Sequence, residues 1–509
     1  MKSFFSRIGR FFGSWGFLKF VLAVLALIVL LYLEEDWRGA HAWAVTKAKW
    51  EAKGESFDYT KFIPPPIPDE QNLATIPLFE MQLVKNPRGD SVLLPNLEKA
   101  MRNESPYADI PQLSNWMKGE PPDANKIQKT LADDYAKFFP NQKPPADSLA
   151  LFDALFPFTA DLRSAAVTRP QFRYNSDYTI NPPDLRPLGP VIKAIPLSRI
   201  LTTHAVLALD KKEPELALGD IKTSYILISG IVRDPSLVGG LVAMGASAVS
   251  LGAVYHGLAY HNWSDQQLLD LEKTLRPLNF LDTFQFDLRT EASMAVNDME
   301  YFKTIPRSQF PPMVFDATFV EARLLPWPGG WWDNNARQLT DFHFQEAESV
   351  DSSQMLAYPV KAGEIKTEIS RKADRAIAYA PWNVWFTEAA VAQTNVMIKF
   401  AEAQVWIGEA RIACALERYR LAQGIYPPSL ETLTPAYIDE LPHDIMNGQP
   451  YRYQVRPDGT YLLYSVGWNQ TDDGGQVAYK TGYDVATKQV DYEQGDWVWP
   501  TPNYNAPAK

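Results

Sequence analysis

The sequence predicts a multidomain, mainly α protein. It has one N-terminal transmembrane helix, a helical-repeat-like middle domain and a C-terminal α+β unit of one long helix plus a small antiparallel sheet. Three observations carry this prediction. Gly16 to Leu33 reads GFLKFVLAVLALIVLLYL, with Lys19 as its single charge. Between Pro196 and Tyr301, apolar helical patterns recur with short polar breaks. After Asn383 a long helical pattern runs to Leu421 and is followed by two β-prone runs joined by Asp458-Gly459.

The apolar run comes first. At ~1.5 Å rise per residue, 18 residues span about 27 Å, the thickness of a bilayer's hydrocarbon core. Lys2, Arg7, Arg10 and Lys19 lie before it or at its start, and Glu34, Glu35 and Asp36 follow it. That asymmetry places residues 1–15 in the cytoplasm, residues 16–33 in the membrane and the bulk of the chain outside. The expected location is the inner, cytoplasmic membrane, with a single pass and an extracytoplasmic or periplasmic body. A cleaved signal peptide is the competing reading, because Ala40-His41-Ala42 has the small-x-small pattern. It lies beyond three acids and Trp37, too far from the apolar run, so an uncleaved signal-anchor is expected.

Residues 34–190 read as a helix followed by a proline-rich irregular segment. EEDWRGAHAWAVTKAKWEAKG has Trp43 and Trp50 one heptad apart and Gly54 as a C-cap. Pro64 to Pro66 exclude helix after it. A short helical piece is expected at Lys126–Phe138. Residues 191–303 form the helical-repeat-like domain. Ser264 caps SDQQLLDLEKTLRPL, and Gln267 completes a capping box. Leu237 to Tyr255 lacks charge altogether. Its Gly, Ala and Ser content suits close helix packing, so a buried helix is expected there rather than a second span.

Residues 304–382 are expected to be irregular. LLPWPGGWWDNN gathers Trp327, Trp331 and Trp332 around a Pro/Gly turn. Such a cluster pins a loop to a core or stacks on sugars. Asp333, Asp341 and Glu346 lie nearby in sequence, without a spacing that argues a glycosidase pair.

Residues 383–509 close the chain. The long helix ends in EARIACALERYRLAQG, with Gly424 at its C-cap. YPPSLETL, PAYIDELPHD, NGQPYRYQV and RPDGTYLLYSV follow. The second strand stops at LYSVGWNQTDDGG, a loop carrying Asn469, Asp472, Asp473 and a Gly-Gly pair. Calcium takes oxygens from carboxylates, amides and carbonyls of such flexible loops. Asn and Asp bonding their own backbone in an ordinary turn is the alternative.

The order and spacing of ALERYRLAQGIYP, YIDELPHD, NGQPYRY and LYSVGWNQ…GG resemble the head of the major pseudopilin of type II secretion systems. The stretch covered is roughly 90 to 100 residues, a length set by several anchors in one order. The whole chain, from WEAKGESFDYTKFIPPPIPDEQN onward, is also similar to membrane-anchored proteins of planctomycete and verrucomicrobial bacteria. The pseudopilin resemblance implies a calcium site. Asn469 stands where that family has its first aspartate, Gly474-Gly475 match its glycine pair, and Asp484 falls where its closing aspartate lies. Asp472 and Asp473 are additional acids of the same loop. The chain departs from the family in two ways. Its head helix is far from the membrane anchor, and no pilin processing motif precedes an apolar run. A polymerising pilin is therefore not expected.

Composition bounds the function. The net charge of -11 repels phosphate backbones, so nucleic acid is not an expected partner. A single cysteine, Cys414, excludes intrachain disulfides and Cys-based zinc sites. The sequence contains no nucleophile elbow, P-loop, dinucleotide-binding glycine motif or HExxH. The reading that follows is a non-catalytic, membrane-anchored envelope protein with a pilin-like head, binding protein partners in secretion or envelope assembly. The alternative is a periplasmic hydrolase acting on glycans.

Overall fold

Apolar side chains and the absence of Pro or Gly between Phe17 and Arg38 let one helix, α1, run without a break from Trp15 to Glu51. The computed structural model describes residues 15–85, 91–101, 113, 115–306, 327–379, 386, 395–480 and 490–500. The membrane-length segment and the following helix, read separately from sequence, are thus a single rod. It ends where Gly54 adopts φ +90 and the Glu55 N–H returns to the Trp50 carbonyl.

After α1 the chain winds through short 3-10 turns and a small hairpin of β1 (Gln82–Val84) and β2 (Ser91–Leu93). Three helices follow: α2 (Ala124–Phe138), α3 (Ser148–Leu155) and α4 (Phe158–Thr168). Asp123 caps α2 by accepting from the backbone N–H groups of Asn125 and Lys126.

The middle of the chain is five helices joined by short turns: α5 (Ala194–Asp210), α6 (Pro214–Ile231), α7 (Leu237–Ala259), α8 (Asp265–Leu275) and α9 (Phe280–Thr304). The Ser264–Gln267 capping box starts α8 as its sequence dictates. The α7 helix is sunk among α5, α6 and α9.

Among the described residues three segments are long and apolar enough to cross a membrane, and burial separates them. In α1 the most apolar 18-residue window has mean hydropathy 2.6, and none of it is buried. Gly189–Asp210 and Leu237–Ala259 have 72% and 83% of their windows inside the fold.

Residues 304–382 correct the sequence expectation. Their described part is chiefly α10 (Gly329–Ala347) and α11 (Pro359–Tyr379), joined through a short hairpin of β3 (Val350–Asp351) and β4 (Leu356–Ala357). The Pro/Gly cluster that reads as a loop is a helix start, with Pro328 at the N-cap. The Asn-rich stretch behind it conceals an apolar face of Trp332, Ala336, Leu339 and Phe342 at helical spacing.

The last helix, α12 (Val396–Gln423), ends at Gly424 with φ +80. It packs on α7, α8 and α9, so one hydrophobic core runs from Leu73 to Trp499. Cys414 is buried in that core. The β5 strand (Arg452–Val455) pairs antiparallel with β6 (Tyr461–Ser465), in the register Arg452↔Tyr464. On its other edge β6 pairs with β9 (Trp497–Trp499), which makes it the central strand of three. A separate antiparallel pair is formed by β7 (Val477–Tyr479) and β8 (Val490–Gly495). Trp116, Tyr255, Trp406 and Trp499 meet with ring centroids 5.4–5.9 Å apart, joining the early segment, α7, α12 and β9.

Candidate functional site

Two places on this fold hold the polar residues that the sequence singles out. The first is the seam between the far half of α1 and α10. Gly39 and Gly330 face each other there without side chains. A Cβ on Gly330 would lie 1.9 Å from the Glu35 carbonyl oxygen, and one on Gly39 would lie 2.2 Å from that of Gly330. The Asp36 carboxylate accepts from the Gly330 N–H at 3.0 Å, which puts negative charge on the positive end of α10. The Trp331 indole donates to Glu35 at 3.0 Å. Two of the three acids that follow the apolar run in the sequence are therefore docking groups. Farther along, Lys49 and the Trp50 indole both reach the Asp341 carboxylate, at 2.7 and 3.0 Å. Lys53 pairs with Glu348 at 2.6 Å. Trp50 itself is buried against Phe344, and the Lys49 and Lys53 ammonium groups lie 4.5 and 4.2 Å from its ring centre.

The tryptophan cluster sits in the first turn of α10. Trp332 is buried, and Trp327 packs on both Trp331 and Trp332. Of the acids in this region, Asp333 pairs with Lys303 and Asp341 with Lys49. Glu346 is buried, and its Oε2 meets no polar partner. Burial pushes its carboxyl up to about 8. The nearby cavity is small, about 80 Å³, and of these three acids only Asp341 lines it.

The second place is the C-terminal acidic loop and the groove beside it. Asn469, Asp472 and Asp473 follow β6, and each is engaged within the protein. The Asn469 amide donates to Asp473 at 3.1 Å, while its oxygen accepts from the Thr471 N–H. Asp472 turns the other way, accepting from Arg452 Nε at 2.9 Å, the Tyr464 hydroxyl at 2.8 Å and the Gly474 N–H. The Tyr464 bond, then the Gly474 bond, holds the Asp472 carboxyl below its usual range. Asp484 lies outside the described residues. Asn469 and Asp473 are thus brought together and Asp472 is not. Among the described residues no three His, Cys, Asp or Glu side chains gather as a metal-binding group.

Two residues not singled out by sequence hold this loop. Asp496, at 1% exposure, accepts from the N–H groups of Asp473 and Gly475 at 3.2 and 2.6 Å. Gly474 and Gly475 take φ +72 and +80, which turns those amides toward it. Asp444, from the LPHD stretch, accepts from Ser465 Oγ and the Val466 N–H at the end of β6. Asp496→Ala is expected to destabilise the protein by about 1–3 kcal/mol, because two partly buried amides lose their acceptor. Asp496→Asn retains an acceptor oxygen and should recover part of the loss. Thermal melting of both variants checks this.

Between α7, the start of α12 and the β7–β8 pair lies a groove of about 1110 Å³. Glu402 projects into it. This side chain is 7% exposed, and the Tyr492 hydroxyl donates to it. Burial pushes its carboxyl up to about 8.

Comparison with family models, with curated proteins and with solved structures yields no match.

Proposed function

We propose that this chain is a non-catalytic, membrane-anchored envelope protein. Its folded body stands on the extracytoplasmic side of the cytoplasmic membrane and binds protein partners in secretion or envelope assembly. The observation that supports the reading is the division of α1. One stretch of it is bare and apolar over a membrane's thickness, and the rest of the same rod is glued to α10. An anchor built this way presents the body at a set distance and angle to the membrane, which suits a scaffold. The basic residues before Gly16 and the acids after Leu33 give the orientation.

Alkaline phosphatase fused after Lys509 is expected to be active, and protease added to spheroplasts should digest the body. Three spans would place that fusion outside as well, so a second reporter is needed. Glu213 is exposed in the turn between α5 and α6. A Glu213→Cys variant should react with a membrane-impermeant maleimide in intact spheroplasts, the native Cys414 being buried. Protection of that cysteine until lysis, or a soluble mature form beginning at Trp43, would overturn the proposal.

A further inference from the structure

The bare apolar run of α1 and the folded body meet at a defined level. Asp36 reaches Gly330 at the start of α10, and Lys53 reaches Glu348 at its end, so the two helices run in the same direction. The first turn of α10 is therefore the end of that helix nearest the apolar run. Leu33, the last residue of the run, precedes Asp36 by three positions, a rise of ~4.5 Å. The polar layer of a bilayer is about 5–7 Å deep on each side, half the difference between its overall and hydrocarbon thicknesses. With the run in hydrocarbon, the first turn of α10 falls inside that layer.

We infer, resting on the anchor proposed above, that the body itself carries a lipid-binding surface: Trp327 and Trp331 enter the head-group layer of a zwitterionic phospholipid bilayer. The body then sits on the membrane rather than above it. Helical side chains lean toward the N-terminus, and the Trp331 indole does so in reaching Glu35. Trp327 packs edge-on against Trp331, with ring centroids 5.6 Å apart. Trp332 is buried, whereas Trp327 and Trp331 each keep part of their surface open. An indole, apolar over its rings and polar at its N–H, favours this layer over both water and hydrocarbon. Charge selects the lipid class. Among the described residues at this end, Arg38 is paired with Glu34 and Glu35, and Lys303 with Asp333. The acids outnumber the bases, so no basic patch awaits an anionic lipid.

The test uses the full chain in phosphatidylcholine vesicles that contain a phosphatidylcholine with a diazirine either on its head group or at the end of one tail. After illumination, trypsin releases three informative peptides: Phe20–Arg38 from α1, Leu324–Arg337 with the first turn of α10, and Gln338–Lys361 with its far end. The tail probe should label Phe20–Arg38. The head-group probe should label Leu324–Arg337, with the adduct on Trp327 or Trp331, and leave Gln338–Lys361 unlabelled. A heptad of glutamate and glutamine inserted between Leu33 and Glu34 keeps the helix phase and lifts the body by ~10 Å, more than the depth of the polar layer. That variant should lose the adduct on Leu324–Arg337 and keep the tail adduct on α1. Tail labelling of Phe20–Arg38 without head-group labelling of Leu324–Arg337 in the wild type overturns the inference and leaves the anchor standing. Failure of the tail probe to label Phe20–Arg38 overturns the anchor and the inference with it. A head-group adduct on Leu324–Arg337 that survives the insertion, or that is matched on Gln338–Lys361, overturns the placement of the surface.

Discussion

Moving the protein from pH 8 to pH 5 is expected to stabilise it, and Glu346→Gln should remove about 4 kcal/mol of that gain. The cause is a set of carboxyls that the fold shuts away from water. Burial raises Glu346 to about 8 and Glu291 to about 7. Asp287, Asp298 and Glu409 are raised well above their ordinary values, again by burial first and then by neighbouring acids. The sign follows from linkage. Below the unfolded pKa of about 4.5 both states hold the proton, and the group costs nothing extra. Above it the unfolded chain ionises freely while the folded carboxyl does not. Stability then falls by about 1.4 kcal/mol per pH unit for each such group until its folded pKa is reached. For Glu346 alone that amounts to about 4 kcal/mol between pH 5 and pH 8.

A smaller opposing term acts at the acid end. Arg420 and His261 hold Glu417 below its ordinary value against the pull of burial, so its contribution is lost as pH falls below about 4.5. The optimum should therefore lie near pH 5. Urea unfolding at pH 5, 6.5 and 8 measures the slope. A flat profile would mean that water or cations reach these carboxyls, and a Glu346→Gln slope equal to that of the wild type would remove Glu346 from the account.

Gly330→Leu is expected to cost about 3–5 kcal/mol and to free the rod from α10. The obstacle to the new side chain is the Glu35 carbonyl, a backbone atom of another helix, so no rotamer relieves the clash and the helices must part. Parting them exposes Trp50, which is 1% accessible, and breaks the pairs of Lys49 and Lys53 with Asp341 and Glu348. Trypsin should then cut after Lys49 and Lys53 under conditions that leave the wild type intact. Gly363→Leu is the control. Gly363 sits in α11, and a Cβ there meets nothing within 4 Å. It should melt at or slightly above the wild-type temperature, since a helix interior favours leucine over glycine. Similar trypsin patterns for the two variants would mean that the Gly39–Gly330 contact does not hold the seam.

Local rules carried the sequence reading furthest where the structure is locally determined. The apolar N-terminal helix, the Ser264 capping box, the Asp458-Gly459 hairpin and the Gly424 terminus of α12 follow from short-range chemistry. The burial of Leu237–Ala259 follows from small residues that allow close packing. What the sequence hides is long-range. The α10 helix reads as a loop because Pro326, Pro328 and two glycines break the pattern, and only its packing on α1 and α9 shows why a helix forms after them. Asp496 lies more than twenty residues from the backbone amides it caps, and nothing in DWVW marks it as their acceptor. Among the candidate loop residues, the sequence lists Asn469, Asp472 and Asp473 side by side. Tyr464 and Arg452, set side by side by strand pairing, both bind Asp472, which turns away from the other two.

The unbroken path of α1 from Trp15 to Glu51 also has a geometric meaning. At ~1.5 Å and ~100° per residue, a 37-residue helix is a shaft about 55 Å long that transmits rotation as well as distance. Because the far end of the shaft is keyed to α10 through Gly39, Asp36 and Lys49, the azimuth of the body about the shaft is set by a residue count. One alanine added between Leu33 and Glu34 would swing every surface of the body by roughly 100° while lifting it only ~1.5 Å. Seven would return it close to its starting heading, about one nanometre farther from the apolar end of the shaft. The heading of the body about its apolar shaft is thus written in the phase of a helix together with the contacts that key it to α10.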